Sequence, residues 1–187
     1  MKRLLVLAAV WTILTGCASV AREPDRMTLV RVLGVDGKEN IVFTAVSGKN
    51  NQGAVERGSG EGAGFQQVRE QVPWSGKGME LSLTGVSYVL VGDDVELEEL
   101  LLWVMEDVDL GASATVWLTD GSAEELLQEC EDPAADLELL VMKGVAAPTV
   151  AQAAASLATE ERVTLPRLGQ KDGRVEERGK KEWVEIR

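Results

Sequence analysis

The period of the hydrophobic pattern changes repeatedly along this chain, from two residues to about 3.6 and back, and that alternation restricts the fold more than any other feature. Leu29–Val35 and Ile41–Val46 read as strands, with Asp36-Gly37 supplying turn chemistry for a hairpin between them. Met79–Val91 begins with Leu81 and Leu83 alternating against polar neighbours and ends in the apolar run Val86–Val91, as a central strand does. Val95–Asp107 then switches to helical spacing, with Leu97, Leu100, Leu101 and Val104 on one face and Asp93 or Asp94 available as a cap. Ala112–Thr119 returns to strand alternation, placing Ala114, Val116 and Leu118 on one side and Trp117 on the other. Ser122–Cys130 is a helix opened by the capping box Ser122-x-x-Glu125, with Ala123, Leu126, Leu127 and Cys130 as its apolar face.

The remaining segments follow the same logic. Gly48 to Gly64 is glycine-rich and poor in apolar residues, which predicts a mobile loop. Gly64–Gln71 predicts a short helix carrying Phe65, Val68 and Val72 and stopped by Pro73. Leu137–Met142 fits strand or helix, while Thr149–Leu157 fits a helix with a Thr149-x-x-Gln152 box. Val163–Leu168 is extended around Pro166, Gln170–Lys181 is a charged linker or hairpin loop, and Trp183–Ile186 is a last strand. Interleaved strands and helices with at least one hairpin predict an α+β fold: a mixed β-sheet packed with several short amphipathic helices in a single domain.

The first residues stand apart from that pattern. Lys2 and Arg3 precede the uncharged segment Leu4–Leu14, which is too short for a hydrocarbon core needing roughly twenty apolar residues. It reads as an export signal to be excluded from fold reasoning. Leu14-Thr15-Gly16-Cys17 resembles the lipobox of bacterial lipoproteins, in which the cysteine thiol receives diacylglycerol and the signal is cut before it. Two acyl chains on one residue satisfy the two-signal rule for stable anchoring. The expected organisation is therefore a signal peptide over 1–16, a lipid-anchored tether over 17–27, an α+β domain over 28–168, and a charged linker with a final strand over 169–187. The expected location is the outer face of a cell membrane.

Charge and composition exclude several chemistries. The 187 residues carry a formal net charge of −12, which opposes contact with nucleic acid or anionic lipid. The chain has no histidine, so the commonest general base and the commonest zinc ligand are both missing. Once Cys17 is lipidated only Cys130 remains, and no intrachain disulfide can form. Cys130 lies among Glu129, Glu131 and Asp132, which oppose a thiolate, and its helical position marks a small core residue. The pairs Glu98-Glu99, Glu124-Glu125 and Glu160-Glu161 diverge on a helix and read as solvated faces. Asp93-Asp94 lacks the regularly spaced ligands of a calcium loop. Gly58-Ser59-Gly60-Glu61-Gly62 meets neither the nucleophile-elbow nor the phosphate-loop pattern. Of the tryptophans past the signal, Trp74, Trp103, Trp117 and Trp183, the one at 117 is core if helices cover both sheet faces and a contact residue if they do not. No catalytic residue, metal site or cofactor is called for.

The order of features is similar to a known family. The lipobox is followed by Val32-Leu33-Gly34-Val35-Asp36-Gly37 and Ile41–Val46. Then come Tyr88-Val89-Leu90-Val91-Gly92, the acidic stretch Glu96–Asp107, Ala112–Leu118, and Gly121-Ser122-Ala123-Glu124-Glu125-Leu126-Leu127. This resembles the N-terminal domain of the Ger(x)C family, the lipoprotein C subunit of spore germinant receptors. There a Gly-hydrophobic-Asp turn joins two early strands, and an apolar strand ending in glycine leads to a leucine-rich helix. Leu165-Pro166-Arg167-Leu168 resembles a Leu-Pro segment near the end of that domain. Members of the family usually carry tryptophan after the lipidated cysteine, where this chain has Ala18, and continue into further domains. The resemblance implies a non-enzymatic subunit beside integral-membrane A and B subunits, anchored in the spore inner membrane, with no catalytic residues to transfer. Two other function classes stand beside it. One is a free-standing extracytoplasmic solute-binding lipoprotein, and the other is a hydrolase using carboxylates alone, for which no residue is singled out.

Overall fold

The computed structural model describes residues 27–49, 53–71, 80–107, 109–159, 162–178 and 182–184. The chain opens with the predicted hairpin, β1 (Met27–Asp36) and β2 (Ile41–Ser47), paired antiparallel from Val30↔Ser47 to Asp36↔Val42. Its turn needs Gly37, whose φ is +89° and whose missing Cβ leaves room for the Asn40 carbonyl. A bulge between Val30 and Val32 breaks strict alternation in β1, so these two fully buried valines serve opposite faces of the sheet.

The segment 48–64, expected as a mobile loop, instead contains strand β3 (Arg57–Gly62), paired antiparallel with β2 from Val46↔Arg57 to Ile41↔Gly62. Glycine lowers strand propensity because it has no side chain to pack. Here β3 is an edge strand, and the space its glycines leave is used by α1 (Phe65–Gln71). A Cβ on Gly62 would stand 3.2 Å from Val68 Cγ2. Phe65 and Val68 of α1 are buried as expected, whereas Val72, Pro73 and Trp74 lie outside the described residues.

The long strand expected over Met79–Val91 is divided. β4 (Glu80–Ser82) pairs parallel with the start of β1, a 3₁₀ turn occupies Leu83–Gly85, and β5 (Tyr88–Val91) pairs parallel with the end of β1. Next come helix α2 (Leu97–Glu106) and strand β6 (Thr115–Thr119), which extends the parallel run. Three further helices follow, α3 (Ala123–Glu129), α4 (Pro133–Met142) and α5 (Val150–Ala158). Leu137–Met142 thus belongs to a helix, started by Pro133 and capped by Asp132, whose side chain accepts from Ala135 N at 3.2 Å.

Both arms of the Thr149–Gln152 box form, at 2.9 and 3.2 Å. β7 (Val163–Leu165) pairs antiparallel with β10 (Glu182–Val184) as a separate two-stranded sheet. Of the two readings of Gln170–Lys181, the hairpin is the one formed: β8 (Arg167–Lys171) and β9 (Arg174–Glu177) are joined by Asp172-Gly173, both at positive φ.

Within the described residues the main sheet has eight strands, in the order β3-β2-β1-β5-β6-β8-β9 with β4 beside β1. It is mixed, with parallel pairing through β1, β5, β6 and β8 and antiparallel edges, and the fold is α+β as expected. Helices lie on both sides. On one, Leu97, Leu100, Leu101 and Val104 of α2 are buried with Val89, Val91 and Val116. On the other, Leu126, Leu127 and Leu137 are buried with Tyr88, Leu90 and Trp117. Each such side chain contributes about 1.5–3 kcal/mol on burial, which is why the stripes read from sequence decide the layers. Trp117 is core: it is fully buried, and its indole N–H donates to Thr115 Oγ1 at 2.8 Å.

Candidate functional site

The carboxyl ends of β1, β5 and β6 bring together residues that are far apart in sequence. Asp36, the last residue of β1, points at the start of α3. One oxygen accepts from Ala123 N at 2.7 Å, and the other accepts from Glu124 N at 2.7 Å and from Ser122 Oγ at 3.1 Å. Ser122 Oγ in turn accepts from Glu125 N at 3.2 Å, the first arm of the predicted capping box. Two otherwise orphaned donors of the helix end are thus satisfied by Asp36 across almost ninety residues of chain, and a third locally by Ser122. Burial pushes the Asp36 carboxyl above its ordinary value, opposed by these hydrogen bonds and reinforced by the nearby Asp94 charge.

Two glycines make the approach possible. A Cβ on Gly92, just after β5, would fall far inside contact distance of Asp36 Oδ1, and one on Gly34 would stand 2.6 Å from Leu127 Cδ1. Asp93 and Asp94, expected as caps of α2, do other work: the residue before that helix is Glu96, without a side-chain cap bond. Asp94 accepts from Gly37 N at 3.0 Å and Asp93 from Gly121 N at 2.9 Å. Arg167 donates to Asp93 at 2.6 Å and to Thr119 O at 3.0 Å. Ligands of open α/β sheets bind beyond the carboxyl ends of parallel strands. In this chain Asp36 at that edge holds the start of α3, while Asp93, Asp94 and Arg167 tie neighbouring loops and strands to one another.

The other residues singled out in the sequence are dispersed. Cys130 is buried at the end of α3, and its thiol is pushed up to about 11 by burial, then by Asp136 and Glu129, against the pull of Arg57. Arg57 comes from β3 and donates to the carbonyls of Leu127 at 3.0 Å, Cys130, and Glu131 at 3.0 Å, closing the C-terminal end of α3. Ser59 sits in β3 opposite Thr44. Glu98, Glu99 and Glu125 are exposed, and Glu124 accepts from Gln128 Nε2 at 3.0 Å. Glu160 and Glu161 lie outside the described residues, as do Leu14, Thr15, Gly16 and Cys17, and the side chain of Trp183 is not described. Among the described residues no group of three or more Cys, Asp or Glu is placed to hold a metal ion, and no helix is long and apolar enough to cross a membrane.

What the fold does expose is apolar surface on two helices. Leu102 and Met105 of α2 are 56% and 50% exposed, and Leu139, Val141 and Met142 of α4 are also exposed. Beside α2 lies a shallow groove of about 450 Å³ against α1, bordered by Phe65, Gln67, Glu99, Leu102, Trp103 and Glu106. Trp103 forms its floor, with ring centroids 5.3 Å from Phe65 and 5.2 Å from Phe43. Beside α4 lie two open grooves lined by both signs of charge, Lys49, Lys143 and Arg174 among Asp132, Asp136 and Glu138. These surfaces escaped the sequence reading, although a signal was present. Leu102 and Met105 fall off the 97/100/101/104 stripe and are apolar where an amphipathic helix should be polar.

No protein-family model matches the chain, and comparison with curated proteins gives no match. Among solved structures, the crystal structure of the GerBC protein is similar, with a TM-score of 0.40 and 12% sequence identity. The alignment covers 82% of this chain and 50% of that one, so the chain spans half the length of that protein.

Proposed function

We propose that the chain is a non-enzymatic, membrane-anchored lipoprotein that serves as a subunit of a nutrient germinant receptor in spore germination. It is held to the outer face of the membrane, in the spore the inner membrane, through diacylglycerol and acyl chains on Cys17. It docks there on integral-membrane A and B subunits. The observation that carries the reading is the convergence at Asp36. Gly34, Asp36, Gly92, Ser122 and Ala123 belong to three separate segments that resemble the Ger(x)C pattern, and they meet at one place. A pattern whose members touch has a physical reason to recur as a unit, since each glycine makes room for a partner that the others position. The non-enzymatic part of the reading is supported by a buried, acid-surrounded Cys130 and by an Asp36 carboxylate at the sheet edge that is occupied with holding α3.

The test is crosslinking and affinity capture from native membranes, with Cys17→Ala as the untethered control. Capture of multi-spanning membrane proteins, lost in the control, is the expected result. Recovery of no specific membrane protein would overturn the subunit reading in favour of a free-standing solute-binding lipoprotein.

A further inference from the structure

We propose that the groove between α1 and α2 is a docking site for a basic amphipathic helix of a protein partner. The inference deepens the assembly reading above by naming the chemistry of the contact segment, and it rests on that reading for the partner being a protein. The floor is apolar: Trp103 is partly buried and stacked on Phe65, while Leu102 and Met105 of the same helix are exposed to solvent. Large apolar side chains on the outer face of an otherwise amphipathic helix mark contact surface.

The charge around this floor has one sign. Helix α2 carries Glu98, Glu99 and Glu106 and no base, and all three are exposed. Arg69, from α1, is already committed to Asp107, at 2.8 Å, and to Asp109. The carboxylates of Glu99 and Glu106 make no ion pair among the described residues. Glu106 also ends the helix at the pole where its dipole disfavours an anion, so a cation brought there relieves an existing strain of charge.

Spacing then specifies the partner. Glu99 and Glu106 are seven residues apart on one helix, about 10.5 Å along its axis, with Leu102 between them. An incoming helix with Lys or Arg two turns apart and an apolar residue between them meets both acids while packing on Leu102 and Trp103. The grooves beside α4 carry both signs of charge and select no such partner.

The experiment uses the full chain carrying Cys17→Ala in mild detergent. The probe is a fluorescent synthetic Leu/Ala/Lys helix of about 20 residues, long enough to hold helical structure, with lysines two turns apart. A scrambled peptide of the same composition is the control. Binding by anisotropy should weaken at least about tenfold in Glu99→Gln/Glu106→Gln and in Leu102→Ser, because a close charge pair or a central anchor is lost. Glu138→Gln/Glu176→Gln, the same charge change on exposed residues outside the groove, should stay within about twofold, as expected of remote charges under salt screening. Absence of binding, equal binding of the scrambled peptide, equal weakening by both double variants, or a homodimer that Leu102→Ser dissolves would each overturn the proposal. The assay contains no receptor and no bilayer, so its failure is distinguishable from failure of the membrane capture.

Discussion

Asp36 is held by two opposing effects, of which burial is the larger, and the balance between them is measurable. Its oxygens accept three hydrogen bonds from α3 and Ser122, which favour the carboxylate, while burial beside Asp94 disfavours it. Asp36→Asn puts an N–H donor against a backbone N–H that now has an acceptor. Loss of a charge-assisted bond with an orphaned donor predicts about 1–3 kcal/mol less stability at neutral pH, read by urea unfolding. The pH dependence has a definite sign. Because the folded value lies above the ordinary 3.8, the folded state binds the proton more tightly, and the stability due to Asp36 rises as pH falls through the folded value towards 3.8. The gap between wild type and Asp36→Asn therefore widens over that window and is flat above it. A gap that narrows on acidification would mean that the hydrogen bonds outweigh desolvation. None of this was readable locally: the sequence marks Asp36-Gly37 as a turn, and the use of its carboxylate depends on a helix almost ninety residues away.

At the scale of elements, β3 and α3 depend on each other through Arg57. The strand is short of side chains, yet its first residue reaches across and donates to three carbonyls at the end of α3. Arg57→Met keeps most of the aliphatic stem and removes the donors, which should cost about 1–3 kcal/mol. Arg57→Lys should recover only part, because a single ammonium cannot reproduce the planar fork. A change smaller than about 0.5 kcal/mol in Arg57→Met, as for an ordinary surface substitution, would show that water caps α3 equally well. This dependence also explains which elements were legible. Helix α2 announces itself through its apolar stripe, and α3 and α5 through stripes and capping residues that act within one segment. β3 is stabilised by backbone pairing with β2 and by the close approach of α1, neither of which leaves a hydrophobic period to read. The division of Met79–Val91 has the same origin. β4 and β5 each pair with β1, but the 3₁₀ turn between them is set by tertiary placement rather than by alternation.

At the scale of the whole molecule, the central sheet is the one layer that both cores share. β1, β5 and β6 send alternate residues to opposite sides: Val89, Val91 and Val116 towards α2, and Tyr88, Leu90 and Trp117 towards α3 and α4. Neither helical layer can lose its order without exposing one face of the same strands, so the two sides should open together. Cys130 reports this directly, because it is buried in the α3–α4 layer and its thiol, pushed up to about 11, reacts little until exposed. With Cys17→Ala leaving a single thiol, Leu100→Ala removes a fully buried side chain from the opposite layer. That substitution should cost about 2–5 kcal/mol. If reclosing is fast relative to modification, the labelling of Cys130 by an aromatic disulfide follows the open population. At 1.4 kcal/mol per factor of ten, its rate should rise roughly 30-fold or more. The substitution touches nothing near Cys130, so the acceleration can arise only through a shared opening. An unchanged labelling rate alongside the full loss of equilibrium stability would instead assign Cys130 to a layer that detaches from the sheet by itself.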